Sequence, residues 1–311
     1  MTPDSIEQFR MALIKAGLRP GGIFSDGRIR RCGTSEKPGS KDAWYVLHEN
    51  AWTGVYGCWN TGVKGKWRPD QATIDPKERK RIAQQAREAA IMRQEEEVNR
   101  QVQAAQRAQE ALEAAKDANY RNRYLRSKKV RPCAGMKADG QDLLLPVMDE
   151  TGAVISFQRI APDGAKRFLP DGRTKGGFFP IKGSGDPLFI CEGVATGLSI
   201  HEASGGTVLC AFSASNLEPV ARIVRSRYPE RQIILVADND RVTEKRTGRN
   251  PGVEAARRAV EAVGGYLVVP GPNGDANDFE QKAGLSALRR LLSYRTPCKS
   301  KGDDGESQNL E

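Results

Sequence analysis

The sequence predicts an α/β protein whose largest part is a mostly parallel sheet with flanking helices. Three observations predict this fold class. After residue 186, short and almost wholly apolar segments alternate with amphipathic ones, as parallel strands covered by helices on both faces do. Residues 130–186 alternate apolar and polar positions between turn sequences, which indicates a β-rich subdomain. Residues 77–131 contain neither Gly nor Pro and indicate a long helical segment.

Composition limits the classes of function. The 311 residues include 49 Lys and Arg against 39 Asp and Glu, and the net charge of +10 favours anionic partners such as nucleic acid, nucleotides or an anionic membrane surface. The chain has no apolar run of about 18 residues that could span a membrane, and its N-terminus has no apolar signal segment. Six Cys spread along the chain do not indicate a disulfide framework. We therefore expect a cytoplasmic protein without a membrane partner.

Residues 1–75 are predicted to form a small α+β module with a possible role in nucleic-acid binding. Ile6, Phe9 and Leu13 recur at helical spacing, and the aromatic-rich segments 44–47 and 55–59 predict antiparallel strands. All four Trp of the chain lie in this module. They indicate either the core of a small domain or exposed rings that stack on bases, and the sequence leaves both open.

Residues 76–129 are predicted to form a helical spacer. Large apolar side chains are scarce between Ile82 and Leu112, so this helical segment should be mostly exposed. Basic residues cluster near its end, where they form either a solvated surface or a track that follows DNA phosphates. The weak candidates for DNA binding are Arg121, Arg123 and Arg126.

The remaining segments form the predicted catalytic core and a tail. Residues 130–186 are the β-rich N-terminal part of this core, and residues 187–295 are the α/β domain. Its strands are predicted at 188–191, 207–212, 232–237 and 266–269, and its helices at 195–203, 217–228, 253–263 and 285–294. Residues 296–311 are rich in Lys, Ser, Gly and acidic residues and are predicted to be a disordered tail.

Carboxylates follow three of these four predicted strands. Because ligands bind at the carboxyl ends of the strands in open parallel sheets, we expect the acidic groups to lie at one edge. Several carboxylates at one edge need protons or cations, and oxygen ligands with few His suit Mg²⁺ or Mn²⁺. A single carboxylate there could simply cap the next helix, but an ordered set is typical of a metal centre. The candidate ligands are Glu192, Asp238, Asp240, Asp275 and Asp278.

The sequence around these residues resembles the Toprim fold, which is shared by bacterial-type primases, type IA and II topoisomerases and some nucleases. Segments 188–193 and 234–240 carry this general resemblance. More narrowly, the chain is identified as a Toprim-domain DNA primase of the plasmid or phage type, which is the mobile-element type. The segments that resemble this group are EGVATGLSI (192–200), AFSASNL (211–217) and DANDF (275–279), with FQRI (157–160), KRFLP (166–170) and KGGFF (175–179) upstream.

This resemblance implies an enzyme, a nucleotidyltransferase of the DNA-directed RNA polymerase type. It would synthesise short primers on single-stranded DNA from nucleoside triphosphates, in plasmid, phage or mobile-element replication or transfer. The implied cofactors are two Mg²⁺ or Mn²⁺ ions, with Glu192, Asp238 and Asp240 as catalytic ligands and with Asp275 and Asp278 as peripheral ones. Glu192 is either a metal ligand or the general base.

The resemblance also places contacts to template and nucleotide on basic residues of the β-rich segment, although surface solubility is a competing interpretation. The four candidates are Arg159, Lys166, Arg167 and Lys175. The chain has no Walker A motif, so either a replicative helicase would act in trans or the chain would act on DNA that is already single-stranded. Cys32, His48 and Cys58 offer fewer than the four ligands of structural zinc, and no zinc is expected.

Two alternatives stay open at this point. A Toprim-type nuclease would use the same metals to activate water, and a non-catalytic adaptor of the replisome would bind single-stranded DNA without forming a product. A haloacid-dehalogenase-type phosphatase fits poorly, because its Asp-x-Asp motif follows the first strand and not the third. The sequence does not specify the start site, the primer length, the sugar preference, the oligomeric state, or whether replication or conjugation is served.

Overall fold

The computed structural model describes residues 3–48, 53–69, 76–294 and 296–298, and the chain divides into two compact units, residues 1–91 and 92–311. The first unit begins with α1 (Pro3–Lys15), followed by an antiparallel sheet in which the strands pair in chain order. Phe9 and Leu13 of α1 are buried against Tyr45 and Leu47 of this sheet. The strands are β1 (Leu18–Arg19), β2 (Arg30–Thr34), β3 (Ala43–Leu47), β4 (Gly54–Cys58) and β5 (Lys64–Trp67).

A long helix, α2 (Pro76–Ala114), crosses the boundary between the two units at residue 91. Those of its residues whose side chains the structure describes are largely exposed, as predicted, but Ala104, Ala108 and Leu112 are buried. Ala108 and Leu112 pack with Leu144 and Phe157 of the second unit. The end of α2 is therefore not an exposed spacer, as predicted up to residue 129, but packs against the β-rich part of the chain. Alanines four residues apart make this contact without large side chains.

The β-rich subdomain is a five-stranded antiparallel sheet in the order β10-β9-β8-β7-β6. One of its faces packs against α2, and the other contributes Leu143, Leu145 and Ile160 to the main core of the second unit. This subdomain begins before residue 130, because Tyr124 and Leu125 are buried in the same core. Its elements are β6 (Lys116–Asp117), α3 (Arg123–Ser127), β7 (Lys137–Asp139), β8 (Asp142–Met148), β9 (Val154–Ile160) and β10 (Lys166–Phe168).

The third sheet has six strands in the order β11-β13-β12-β14-β15-β16. Its four inner strands are parallel, and the two edge strands are antiparallel to their neighbours. This arrangement confirms the predicted fold class and adds two strands to it. The strands are β11 (Phe179–Ile181), β12 (Leu188–Cys191), β13 (Val208–Cys210), β14 (Ile233–Val236), β15 (Gly265–Val268) and β16 (Thr296–Cys298).

Edge strand β16 corrects the predicted tail, because residues 296–298 pair with β15. Residues 299–311 of that predicted tail lie outside the described residues. Helices cover both faces of the sheet, with α4, α8 and α9 on one face and α5 and α7 on the other. They are α4 (Val194–Ser204), α5 (Leu217–Arg227), α6 (Arg241–Thr247), α7 (Pro251–Val263), α8 (Ala276–Ala283) and α9 (Leu285–Ser293).

Burial along the strands alternates between these two helix layers. Phe189 and Cys191 of β12 pack on the side of α4, while Leu188 and Ile190 pack on the side of α5. Two-sided burial explains why the inner strands are almost entirely apolar. Within the described part of the chain, no helix combines the length and apolar character needed to cross a bilayer.

Candidate active site

The carboxyl ends of the parallel strands carry the acidic residues. Glu192 directly follows β12, and Asp238 comes two residues after β14. Because Cys191 and Val236 are paired in the parallel register, the two strands end side by side at the same edge. Asp275 and Asp278 follow β15, which lies on the other side of β14.

A short backbone bridge holds Asp238 beside Asp275. Asn239 N–H donates to the Gly274 carbonyl at 3.1 Å, and Gly274 N–H donates back to the Asn239 carbonyl at 2.8 Å. This bridge is antiparallel, so the residues that flank it, Asp238 and Asp275, are opposite each other. Opposite residues of an antiparallel pair project to the same side. The bridge therefore presents two carboxylates together to the sheet edge.

The Asn239 side chain is buried and fixes the loop that carries the bridge. Its amide donates to the carbonyls of Pro270 and Gly271, at 3.0 and 2.9 Å. Its own oxygen accepts from Asn250 Nδ2 at 2.9 Å. Asn250 also caps α7, so one polar network joins the loops after β14 and β15 to the start of that helix.

Asp275 and Asp278 form a capping box at the start of α8. Asp278 N–H donates to Asp275 Oδ1 at 2.8 Å, and Asp275 N–H donates to Asp278 Oδ2 at 3.4 Å. Gly274 precedes the box with a φ of 108°, and a Cβ there would lie 2.6 Å from Asp278 Oδ2. Only glycine fits this position.

The electrostatic environment of Asp238 is unusual for a carboxylate. Burial, followed by the nearby negative charges of Glu192 and Asp275, raises its pKa to about 7, and the positive charge of Lys166 opposes the shift. Its Oδ1 is buried and has no hydrogen-bond partner. Burial also raises the pKa of Glu192, again against the effect of Lys166. Carboxyl groups in this state require a proton or a cation.

Lys166 is the basic residue that the structure brings to these carboxylates. It lies on β10, and a Cβ built on Gly193 would be 3.9 Å from its Nζ. Phe168 projects from the same side of β10 and contacts Phe212, with ring centroids 5.7 Å apart. Strand alternation therefore directs Lys166 and Phe168 towards the loops that follow β12 and β13.

The other predicted cations have different surroundings. Arg167 faces away from Lys166 and is paired across the strands with Arg159. Arg159 forms ion pairs with Asp139 and Asp142, at 2.9 and 2.8 Å, on that same side of the sheet. Lys175 lines a cavity next to Phe168 and Phe212. Arg121, Arg123 and Arg126 are exposed around α3.

Asp240 is exposed, unlike the half-buried carboxylates Glu192, Asp238 and Asp275. It caps α6, with Oδ1 accepting from Thr243 N–H at 2.9 Å and Oδ2 accepting from the Thr243 hydroxyl at 2.5 Å. These hydrogen bonds lower its pKa. Its carboxylate is therefore ionised and already hydrogen-bonded within its own helix. Lys245 and Arg246 lie in the last turn of α6.

The donor set fits a hard divalent cation. Glu192, Asp238 and Asp275 are oxygen donors that act on one another electrostatically, and Asp238 Oδ1 is an orphaned buried acceptor. Among the described residues, no three His, Cys, Asp or Glu side chains are close enough together to enclose an ion.

A cavity of about 300 Å³ adjoins the acidic edge, and the sequence did not predict it. Phe212 N–H donates to the Glu192 carbonyl at 2.8 Å, which links the cavity wall to the acidic site. Phe212 has a φ of 68°, a conformation that is rare for a bulky residue and is often found at functional sites. The lining residues are Phe168, Thr174, Lys175, Ala211, Phe212, Ser213, Ser215 and Asn216.

Asn216 connects the β-rich subdomain to this cavity. Its buried amide donates to the carbonyls of Gly177 and Ala211, at 2.8 and 2.9 Å, and its oxygen accepts from Gly176 N–H at 2.7 Å. The loop that carries Lys175 is therefore anchored to the end of β13. A lone Asn in a sequence gives no sign of such a role.

Asn239→Ala is expected to destabilise the protein by about 2–4 kcal/mol, because it removes three buried hydrogen bonds and leaves carbonyls of the loop without donors. Asn273→Ala is the matched control, since Asn273 is exposed and accepts one hydrogen bond, from Arg241 N–H. Denaturant unfolding of both variants measures the difference. Equal losses in the two variants would contradict an anchoring role for Asn239.

The family model for the Toprim domain matches residues 187–286. Two Escherichia coli proteins named DNA primase TraC are 32% and 31% identical to the chain over 283 and 285 residues, in each case 87% of this chain. The chain spans only 26% and 20% of the length of these relatives.

Two solved structures illustrate the structural likeness. The Aquifex aeolicus primase, with its zinc-binding and RNA polymerase domains, is 16% identical with a TM-score of 0.42, covering 96% of this chain and 87% of that one. A DnaG primase catalytic domain bound to single-stranded DNA is 12% identical with a TM-score of 0.44, covering 64% and 81%. The family match and the two relatives confirm the resemblance found in the sequence. Residues 187–286 thus match the Toprim domain, and 87% of the chain is similar in sequence to the TraC DNA primases.

Proposed function

We propose that this protein is a DNA primase that joins nucleotides into short primers on single-stranded DNA by divalent-metal-dependent nucleotidyl transfer. The observation that carries the proposal is the buried acidic edge of a Toprim domain, where Asp238 has an orphaned oxygen and a pKa raised to about 7. TraC, to which the chain is similar, is named a DNA primase. Replication or transfer of a plasmid, phage or other mobile element is the proposed setting.

Glu192, Asp238 and Asp275 would hold Mg²⁺ or Mn²⁺, with Asp240 and Asp278 as further proposed ligands of a two-metal site. Bound metal would neutralise charge on the triphosphate and lower the pKa of the attacking hydroxyl. Glu192 has a raised pKa and is suited to take the proton of that hydroxyl, if it is not itself a ligand. Lys166, close to Gly193, supplies a positive charge to a phosphate at the same edge.

The adjoining cavity suits the rest of the nucleotide. The rings of Phe168 and Phe212 offer a surface for a base, and Lys175 offers a cation for phosphate. Arg159 and Arg167 lie on the other side of β10 and are proposed at most as contacts to more distant template. Arg121, Arg123 and Arg126 are proposed as weak DNA contacts. A replicative helicase supplied in trans is the proposed protein partner.

Primer synthesis tests the proposal, with single-stranded DNA, labelled nucleoside triphosphates and Mg²⁺ or Mn²⁺, and with products resolved by length. Lys166→Ala should lower the rate of synthesis about 10- to 100-fold, as expected for the loss of one charge-assisted contact. Arg167→Ala, one residue away on the opposite face, should lower the rate much less than Lys166→Ala, because it removes a charge without reaching the acidic edge.

Two results would contradict the proposal. Release of nucleotides from the DNA without joining would identify a Toprim-type nuclease. Binding of single-stranded DNA without any product, in the presence of either metal, would identify a non-catalytic adaptor of the replisome.

A further inference from the structure

The first turn of α4 contains backbone groups that the helix itself leaves unpaired. The helix begins after Gly193, which has no side chain to cap it, and its first hydrogen bond runs from Gly197 N–H to the Gly193 carbonyl at 2.9 Å. The N–H groups of the three residues between them therefore have no partner in the helix, and together they give this end a partial positive charge. These three residues are all buried, and they are Val194, Ala195 and Thr196.

The Thr196 side chain is a second unpaired group in the same turn. The residue is 1% exposed, and its Oγ1 has no hydrogen-bond partner in the part of the chain that the structure describes. Ser199, one turn later in α4, shows the usual arrangement, because it is buried and its hydroxyl accepts a hydrogen bond from Asn277 at 3.0 Å. A buried hydroxyl without a partner destabilises a protein, so the one at Thr196 calls for an explanation.

A space beside Gly193 connects this hydroxyl to a cation. A Cβ built on Gly193 would lie 3.5 Å from Thr196 Oγ1 and 3.9 Å from Lys166 Nζ, and both are ordinary contact distances. The φ of Gly193 is −99°, which any residue adopts, so the backbone does not require glycine here. The glycine instead leaves room for an atom of a ligand between the hydroxyl and the ammonium group.

The groups around this space share one chemistry. Backbone N–H groups at a helix N-terminus, a hydroxyl and an ammonium group all donate hydrogen bonds, and such a set binds an oxyanion. Glu192 and Asp238 lie at the same edge and would repel an anion that arrived alone. Phosphate is the oxyanion that a divalent cation joins to carboxylates, and it fits both halves of this environment.

We infer that the first turn of α4, together with Gly193, Thr196 Oγ1 and Lys166, forms a binding site for a phosphate group. We call it the α4 phosphate site. The inference deepens the proposed function and rests on it for the reacting nucleotide. Two sources carry the same group, the triphosphate of a nucleotide and the backbone of a nucleic acid. The adjoining cavity, with Phe168 in its wall, favours the nucleotide.

The first test measures binding of pyrophosphate to the full chain by isothermal titration calorimetry, in Mg²⁺ and without DNA. Thr196→Val keeps the size of the side chain and removes its hydroxyl, so pyrophosphate should bind about tenfold more weakly. Thr196→Ser keeps the hydroxyl and should stay within about threefold of wild type. Gly193→Ala places a methyl group in the space and should also weaken binding. Gly39→Ala, at an exposed glycine with open space around it, is the control and should change nothing.

The second test measures thermal stability without metal or ligand. Thr196→Val removes a hydroxyl that has no partner, so the variant should melt about 2 °C above wild type. Ser199→Ala is the matched control in the same helix, because it removes the acceptor of the Asn277 amide and should melt below wild type. A threonine with a purely structural role would behave like Ser199.

The outcomes separate the site from the proposed function. Equal affinities of wild type and Thr196→Val for pyrophosphate and for oligo(dT) would overturn the inference, as would a lower melting temperature of Thr196→Val. A loss of affinity for oligo(dT) alone would support the site and assign it to backbone phosphate. Thr196-dependent binding of pyrophosphate by a chain that makes no primers would support the site and contradict the proposed function.

Discussion

Asp238→Asn should reduce primer synthesis at least about a hundredfold, because metal-ion catalysis contributes several kcal/mol and each 1.4 kcal/mol changes a rate about tenfold. The amide keeps the shape of the side chain but removes the charge that would hold a cation. Binding of single-stranded DNA should be unchanged or slightly stronger, since a negative charge is lost from a surface that meets a polyanion. Synthesis is measured by product length and binding by anisotropy.

Glu230→Gln is the matched control for this change, because Glu230 is an exposed acid of the same domain. It should leave synthesis within about twofold of the wild-type rate. Asp240→Asn should also lower synthesis, but it removes part of the cap of α6, so its rate must be compared with its thermal stability. Wild-type synthesis by folded Asp238→Asn would exclude the acidic edge as the catalytic centre.

Stability without metal should fall as the pH rises, and Asp238 should be a main cause. Its pKa is raised from 3.8 to about 7 in the folded protein. A carboxyl group whose pKa is higher in the folded protein than in the unfolded chain contributes its full stabilisation below the pKa of the unfolded chain. This contribution is lost as the pH rises through the pKa of the folded protein. Stability should therefore fall between about pH 4 and about pH 7. Glu192, whose pKa is also raised, adds a change of the same sign.

Thermal unfolding in EDTA at pH 5 and pH 8 measures this effect. The melting temperature of Asp238→Asn minus that of the wild type should be at least about 2 °C larger at pH 8 than at pH 5. The reason is that the amide carries no charge at either pH, whereas the wild-type carboxyl group ionises between them. Adding Mg²⁺ at pH 8 should raise the wild-type melting temperature and have less effect on the variant. Parallel pH profiles for the two proteins would contradict the buried, charge-coupled state of Asp238.

The sequence predicts the sheet well because its signals are local. Leu188–Cys191 and Ile233–Val236 are continuous apolar strands followed by acidic residues, and this pattern is sufficient to place Glu192 and Asp238 at one edge. Helix α8 is absent from the predicted helices, although Asp275 three residues before Asp278 is a helix-start signal. These features depend on neighbouring residues in the chain and not on distant contacts.

The features that the sequence does not predict depend on partners far along the chain. Lys166 and Arg167 are equivalent as basic residues, and only the side of β10 on which α2 packs decides which one reaches the acidic edge. Ala104 and Ala108 are too small to mark a buried stripe. The pairing of Asn239 with Gly274 joins two loops 35 positions apart, and no periodic pattern encodes it.

This pairing of Asn239 with Gly274 also determines where the domain can tolerate insertions and deletions. Pro272 and Asn273 are exposed and lie between two fixed points, the Gly271 carbonyl that Asn239 holds and the bridge at Gly274. Added residues there would bulge into solvent and leave Asp275 in place, because loop length costs little free energy. A single residue added between Gly274 and Asp275 would instead move Asp275 out of register with Asp238. Length variation among related chains should therefore concentrate before Gly274 and stop at it.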